Sequence, residues 1–373
     1  MYKIGDNIIS SLGFTTEENF SAVKSGSTGV KPYKVGEFDL PEAFVASLVD
    51  RERLNDEFVR ISQENNVTNL EKASILSVLD ANKEAQIDLS SEKTVFVLST
   101  TKGNVDLLDS SEKERTFLWH TAELISDFFQ NKNTPIVVSN ACISGASAQI
   151  AAMRELQSGR YDFAVVVGVD FLSKFIISGF QSFKALSPEV CRPFDKDRCG
   201  LNLGEAAATI IYGKNEIKNI QLVNGAIRND ANHISAPSRV GEGSFRALKY
   251  VLHDIDINDI AFVNAHGTAT PYNDAAEVKA IIRAGLEHVP INSLKPIFGH
   301  TLGAAGVLES IISMRALEEN IVLKSENFCE QDFENHINIA QEKQFTVKRH
   351  FIKLLSGFGG CNAALLYSHE LTK

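Results

Sequence analysis

The sequence predicts an α/β protein, a sheet covered by helices on both faces. Three observations carry this. Runs of apolar and β-branched residues recur along the chain, and helical periodicity fills the stretches between them. Residues with chemical capacity, Cys142, His266 and His300, stand where such runs end or helices begin. The rhythm occurs twice, which suggests an internal duplication divided near residue 215. A chain of 373 residues fits two domains, or one large duplicated one, at about 150 residues per domain.

The strand-like runs cover residues 94–99, 135–139, 163–169, 207–212, 220–223, 260–264, 351–355 and 363–367. Thr15-Thr16-Glu17-Glu18 and Thr68-Asn69-Leu70-Glu71 have the form of capping boxes ahead of apolar periodicity, so each predicts a helix start. Residues 110–130 read as one long amphipathic helix. Ile143, Ala146, Ile150, Met153 and Leu156 predict a helix over 143–157. Leu302, Ala305, Leu308, Ile312 and Ala316 predict another over 301–317.

Composition narrows the function. Hydrophobic content of 44% and charged content of 23% are those of an ordinary globular protein. The net charge of −10 argues against a general nucleic-acid binder, and any acidic partner needs a local basic patch. Lys184, Arg192 and Arg198 are the candidates. The start of the chain lacks the features of a signal peptide, and no apolar stretch approaches the roughly 18 residues of a membrane span. Five widely spaced cysteines without a CxxC pair argue against a disulfide framework or a zinc site. A reducing cytoplasm is the expected setting.

Cys142 lies in Ser139-Asn140-Ala141-Cys142-Ile143-Ser144-Gly145-Ala146, between a strand-like run and a helical one. Unpaired N–H groups in a first helical turn would make the thiol more acidic, and small neighbours would admit an acyl group. From this segment alone, a buried structural cysteine is an equal reading. His266 follows an apolar strand, on the rim where α/β sheets bind ligands, or is an ordinary loop histidine. His300 follows Gly299 and opens the second helix. It is a neutral imidazole donor for an oxyanion, or a cap. Lys295 and Glu309 are placed to pair. Gly357-Phe358-Gly359-Gly360 is a tight turn, suited to a mobile gate or to a backbone N–H held close to a ligand.

Taken together these segments resemble the elongating β-ketoacyl-acyl-carrier-protein synthases of the thiolase fold. The match runs in order through Asn140-Ala141-Cys142, Gly179-Phe180, Arg192-Pro193-Phe194-Asp195, Leu203-Gly204-Glu205, Asn264-Ala265-His266-Gly267-Thr268-Ala269-Thr270-Pro271, Lys295 with Gly299-His300-Thr301-Leu302-Gly303, and Gly357-Phe358-Gly359-Gly360. Ile9-Ser10-Ser11-Leu12-Gly13 is similar to the family's opening turn, after a shortened first strand.

The resemblance implies two duplicated βαβαβαββ halves, residues 1–214 and 215–373, in a five-layered α-β-α-β-α core. It implies an acyltransferase in which Cys142 takes an acyl chain and His266 and His300 assist decarboxylation of malonyl-acyl-carrier protein. Lys295 would be catalytic, Glu309 supporting, and the N–H groups of Cys142 and Phe358 an oxyanion hole, with Phe358 as gate. Thr268, Thr270, Phe180, Gly357 and Gly359 would bind substrate. No cofactor or metal is implied. Acyl carrier protein is the implied partner, with a homodimer or a pairing with a chain-length factor formed through residues 163–169. A chain-length-factor-like partner subunit would lack the nucleophile, and a thiolase-like enzyme would use CoA thioesters. Cys199, Gln181, Lys184, Tyr272-Asn273, Ser356 and Cys361 depart from the family pattern. They leave the triad intact and leave acyl length open, with a specialised lipid or polyene pathway among the uses they fit.

Overall fold

A computed structural model describes residues 1–215, 219–230 and 232–370. Ten strands form the main sheet. They are β1 (Tyr2–Ser10), β2 (Thr94–Ser99), β3 (Ile136–Val138), β4 (Phe163–Asp170), β5 (Ala206–Gly213), β6 (Ile220–Asn229), β7 (Ile260–Asn264), β8 (Ile291–Asn292), β9 (His350–Gly357) and β10 (Cys361–His369). The spatial order is β8-β7-β9-β10-β6-β1-β5-β4-β2-β3.

Each half repeats one plan. In the first, β3, β2 and β4 run parallel, and β5 and β1 follow antiparallel. In the second, β8, β7 and β9 run parallel, and β10 and β6 follow antiparallel. The halves join where Tyr2 pairs with Gln221 across β1 and β6.

Eight helices matter here: α1 (Thr16–Lys24), α2 (Asn69–Ala85), α3 (Leu118–Phe128), α4 (Ser144–Ser158), α5 (Lys174–Ser182), α6 (Glu242–Val251), α7 (Pro271–Arg283) and α8 (Ala305–Glu318). The capping boxes at Thr15 and Thr68 are both formed, and start α1 and α2. Helices α4 and α8 touch each other and strands of both halves, so they form the middle layer. Helix α2 covers the outer face of the first half, and α6 that of the second. Helix α8 is buried almost all round, from Ala305 to Leu317, as a central helix must be. Gln149 on α4 accepts hydrogen bonds from Tyr212 (2.6 Å) and Tyr367 (2.5 Å), which come from the last strand of each half.

Several expectations are corrected. Residues 110–130 are not one helix. A short 3₁₀ turn spans Lys113–Thr116, Phe117 is extended, and α3 begins at Leu118. The turn brings Arg115 onto the buried Glu71, at 2.6 Å, which a straight helix would not guarantee. The first strand, β1, pairs with β5 from Tyr2 to Ser10. Residues 163–169 cannot form a dimer edge, because β4 lies between β2 and β5 and is almost wholly buried. The strand at that end of the sheet is β3, paired on one side only. No described helix is long and apolar enough to cross a membrane.

Candidate active site

Cys142 sits in the turn between β3 and α4. Ala141 is held at φ 46°, a left-handed conformation that costs an L-residue about 1–2 kcal/mol. Ser144 locks this turn: its hydroxyl donates to Ala141 O (2.6 Å) and accepts from Asn140 N–H (2.8 Å). Gly357 packs against it, and a Cβ there would lie 3.2 Å from Cys142 N and 2.8 Å from Cys361 Sγ. Among the described residues, the N–H groups of Cys142 and Phe358 have no acceptor.

His266 follows β7. Glu277 on α7 accepts from the N–H groups of His266 (2.7 Å) and Gly267 (2.9 Å), and Asp274 accepts from Thr268 N–H (3.1 Å). Burial pushes the Glu277 carboxyl up to about 7 and that of Asp274 up to about 6. Gly267, at φ 42°, lets the chain turn against Ser293.

His300 follows Gly299, at φ 68°, where a Cβ would lie 2.4 Å from Leu203 O. Leu302 N–H donates to His300 Nδ1 (3.3 Å). A neutral His300 therefore carries its proton on Nε2, and that buried atom has no partner among the described residues. The helix after His300 starts later than the periodicity suggests. A 3₁₀ turn at Leu302–Ala304 precedes α8. Asp170 fixes that turn by accepting from Gly303 N–H (2.6 Å) and Thr100 Oγ1 (2.8 Å).

The three side chains converge. Their sulfur and ring-nitrogen atoms lie within 4.8 Å of one another. The imidazoles meet edge to face, with centroids 5.2 Å apart. Both are held well below the usual histidine range, first by burial and then by the positive charge of Lys295 and Lys353. This, not a helix terminus, keeps them neutral. The same positive potential opposes a divalent cation on the three donors.

Cys142 also departs from expectation. Burial pushes its thiol up to about 12, with Cys361 adding to the rise; Lys295 and Lys102 oppose it without cancelling it. The group is a resting thiol beside two neutral imidazoles.

Lys295 and Glu309 pair at 2.5 Å, both fully buried. A cavity of about 480 Å³ opens onto Cys142, His266 and His300, and is lined also by Thr268, Thr270, Phe180, Gly357 and Phe358. The Thr268 and Thr270 hydroxyls are 2.9 Å apart. Phe358 stacks on Phe180 at 6.0 Å and meets Phe183 edge-on at 5.7 Å. Gly359 does not line the cavity, because its N–H turns away to donate to Ile234 O (2.7 Å). Arg192 and Arg198 are drawn into ion pairs with Glu189 (3.1 Å) and Asp332 (2.6 Å), while Lys184 lines the cavity. Cys199 lines it too, 3.3 Å from the Ser187 hydroxyl.

Sequence reasoning missed Lys353, Glu277 and Phe183. A lysine inside the apolar run Phe351-Ile352-Lys353-Leu354-Leu355 was the available signal for the first. Nothing local marks Glu277 or Phe183.

The chain is similar to known proteins in sequence and in fold. The model of the "Beta-ketoacyl synthase, N-terminal domain" matches residues 4–215, and that of the "Beta-ketoacyl synthase, C-terminal domain" matches 220–329. The 3-oxoacyl-[acyl-carrier-protein] synthase 2 of Staphylococcus aureus is 32% identical over 246 residues, covering 61% of this chain and 59% of that one. The match thus spans about three fifths of the curated relative. A β-ketoacyl synthase from Burkholderia phymatum superposes with a TM-score of 0.87 at 24% identity, over 99% of each chain. The ishigamide ketosynthase/chain length factor gives 0.89, also at 24% identity over 99% of each chain. With a thiolase-type duplicated core and family models matched in both halves, the chain belongs to the β-ketoacyl synthase family.

Proposed function

We propose that this protein catalyses a decarboxylative Claisen condensation. An acyl group held on Cys142 joins a malonyl group presented by acyl carrier protein, giving a 3-oxoacyl-carrier protein. The convergence of one thiol with two neutral imidazoles, one with a free buried Nε2–H, carries this reading.

A neutral imidazole accepts the Cys142 proton, and the thiolate attacks the acyl thioester. The carrier's thiolate leaves and takes a proton. After the malonyl thioester binds, its C–C bond breaks and CO₂ departs. The electron pair moves into an enolate whose oxygen takes hydrogen bonds from His266 and His300. The enolate carbon attacks the acyl–Cys142 carbonyl, whose oxyanion faces the N–H groups of Cys142 and Phe358. The Cys142 thiolate is then expelled and takes a proton from solvent, by way of an imidazole, to replace the one that left with the first carrier.

Thr268 and Thr270 fit contacts to the pantetheine arm, and Phe358 fits a gate. Lys295 and Glu309 hold the field around the imidazoles. We read residues 1–214 and 215–373 as the two halves, and β3 as the strand through which a second copy pairs. Chain length factors named with two structural relatives, ishigamide's and that of Xenorhabdus doucetiae ApeO, make a heterologous partner the alternative.

Intact-mass spectrometry tests the reading. Wild type and Cys142→Ala are incubated with acyl-carrier proteins of graded length, then with malonyl-carrier protein. An acyl adduct on wild type alone, released as a product two carbons longer, is expected. Absence of any adduct on the purified chain would remove the stand-alone enzyme.

A further inference from the structure

Lys353 lies on β9 with no solvent exposure, in the strand that runs into the Gly357-Phe358 turn. Its Nζ is 2.5 Å from Glu309 Oε2, while Lys295 holds Oε1 of the same carboxylate at 2.5 Å. The Nζ also donates to Ala265 O (3.1 Å) and Asn264 O (3.4 Å), the carbonyls just before His266. One ammonium therefore ties three elements together. These are the strand bearing the Phe358 turn, the end of β7 that aims His266, and the helix that follows His300.

The charge count gives the tie a purpose. Lys295 and Glu309 alone would form a balanced pair, and Glu277, the other buried carboxyl that acts on Lys353, is pushed up to about 7 by burial and so compensates it only in part. A buried cation without full compensation is expensive, and is kept where it has work to do. Here the surplus positive charge lies behind two imidazoles that must be uncharged donors, and beside a site where thiolate, enolate and oxyanion form in turn. We propose that Lys353 is a positioning residue for His266 and His300, acting as the second clamp on Glu309 and as the source of the surplus charge behind the imidazoles. The proposal deepens the condensing-enzyme reading and rests on it for its purpose.

Other charged or titratable groups bear on the same imidazoles. Lys295 and Lys353 lower both, His300 lowers His266, and Lys102 acts on His300. Glu277 binds the His266 backbone, Asp274 that of Thr268, and Asp170 the turn after His300. Cys142 faces the rings. Lys353 is itself drawn down to about 8 by burial and by the charge of Lys295, against the pull of Glu309 and Glu277, so its charge falls away on the alkaline side.

The test uses the full chain as wild type, Lys353→Met and Lys353→Arg, with isotope-labelled histidine. Imidazole titrations are followed by NMR and assigned with His266→Ala and His300→Ala. Malonyl-carrier decarboxylation is measured across pH in parallel. In Lys353→Met the imidazole titrations are expected to move up by about one unit, and the acid limb of decarboxylation to move up with them. Lys353→Arg is expected to restore both. If the Met variant does not fold, Lys353→Gln is titrated in its place. Unchanged imidazole titrations in a folded, uncharged variant would overturn the proposal, even if melting temperature fell. Absence of decarboxylation by wild type would count against the functional reading, while the titrations would still decide the role of Lys353.

Discussion

Gly145 and Gly306 bring the two central helices into backbone contact. A Cβ on Gly145 would lie 2.9 Å from Gly306 Cα, and one on Gly306 would lie 2.4 Å from Ala146 N. The first glycine follows Cys142 on α4, and the second follows His300 on α8. Their contact therefore fixes the spacing of nucleophile and imidazole. Gly306→Ala must push backbone, not a flexible side chain. It is expected to cost about 1–3 kcal/mol, read as a lower denaturation midpoint. Condensation is expected to fall more than stability alone explains, because Cys142 and His300 stand just before the two helices that must part.

Much of this was legible in sequence, for physical reasons. A capping box is a local device, so Thr15 and Thr68 announce their helices. Strands buried on both faces are mostly apolar along their length, so β2, β4, β5 and β7 stand out. Cys142, His266 and His300 show because small residues surround them. What stayed hidden is long-range. Arg115 breaks the 110–130 periodicity for Glu71, 44 positions away. Glu277 serves His266 across a turn, and Lys353 serves Glu309 from another strand. The acidity of Cys142 is not legible in its segment, because burial, a property of the fold, outweighs the helix turn, a property of the segment.

That thiol gives the second prediction. With its pKa pushed up to about 12, the thiolate fraction is small at pH 7 and rises tenfold per unit through pH 10. Iodoacetamide alkylation of Cys142, followed by peptide mass mapping, is expected to accelerate across that whole range. A plateau near pH 6 or 7 would instead indicate a pre-formed thiolate.

Glu277 links the site to stability. Its folded pKa, about 7, lies above the ordinary value of 4.5 because of burial. A group raised on folding favours the folded state at low pH, and that contribution is lost as pH rises through about 7. Glu277→Gln removes this titration but offers one acceptor where two N–H groups need one each. The variant is expected to lose about 1–3 kcal/mol for the unmet donor. Its stability is also expected to change less between pH 5 and pH 7 than that of wild type, as measured by urea unfolding at each pH.

His300 separates the two chemical steps. Its Nδ1 is occupied by Leu302 N–H, so Nε2–H is the atom free to meet an enolate oxygen. His300→Ala removes a transition-state donor and is expected to slow malonyl-carrier decarboxylation by about 10²–10³-fold, in line with loss of one oxyanion donor. Acyl transfer onto Cys142 is expected to suffer less, since His266 remains as a base. His300→Gln, which can place an amide N–H near the lost Nε2–H, is expected to recover part of the decarboxylation. Because both imidazoles are held well below the usual range, the neutral forms persist on acidification. The wild-type rate is therefore expected to stay level from pH 8 to pH 6, where an unperturbed histidine near 6.5 would already be mostly protonated. Stopped-flow release of CO₂ at each pH, set against mass-spectrometric acylation of Cys142, measures the two steps apart. Equal losses in both steps for His300→Ala would show that the residue supports the nucleophile and not the enolate.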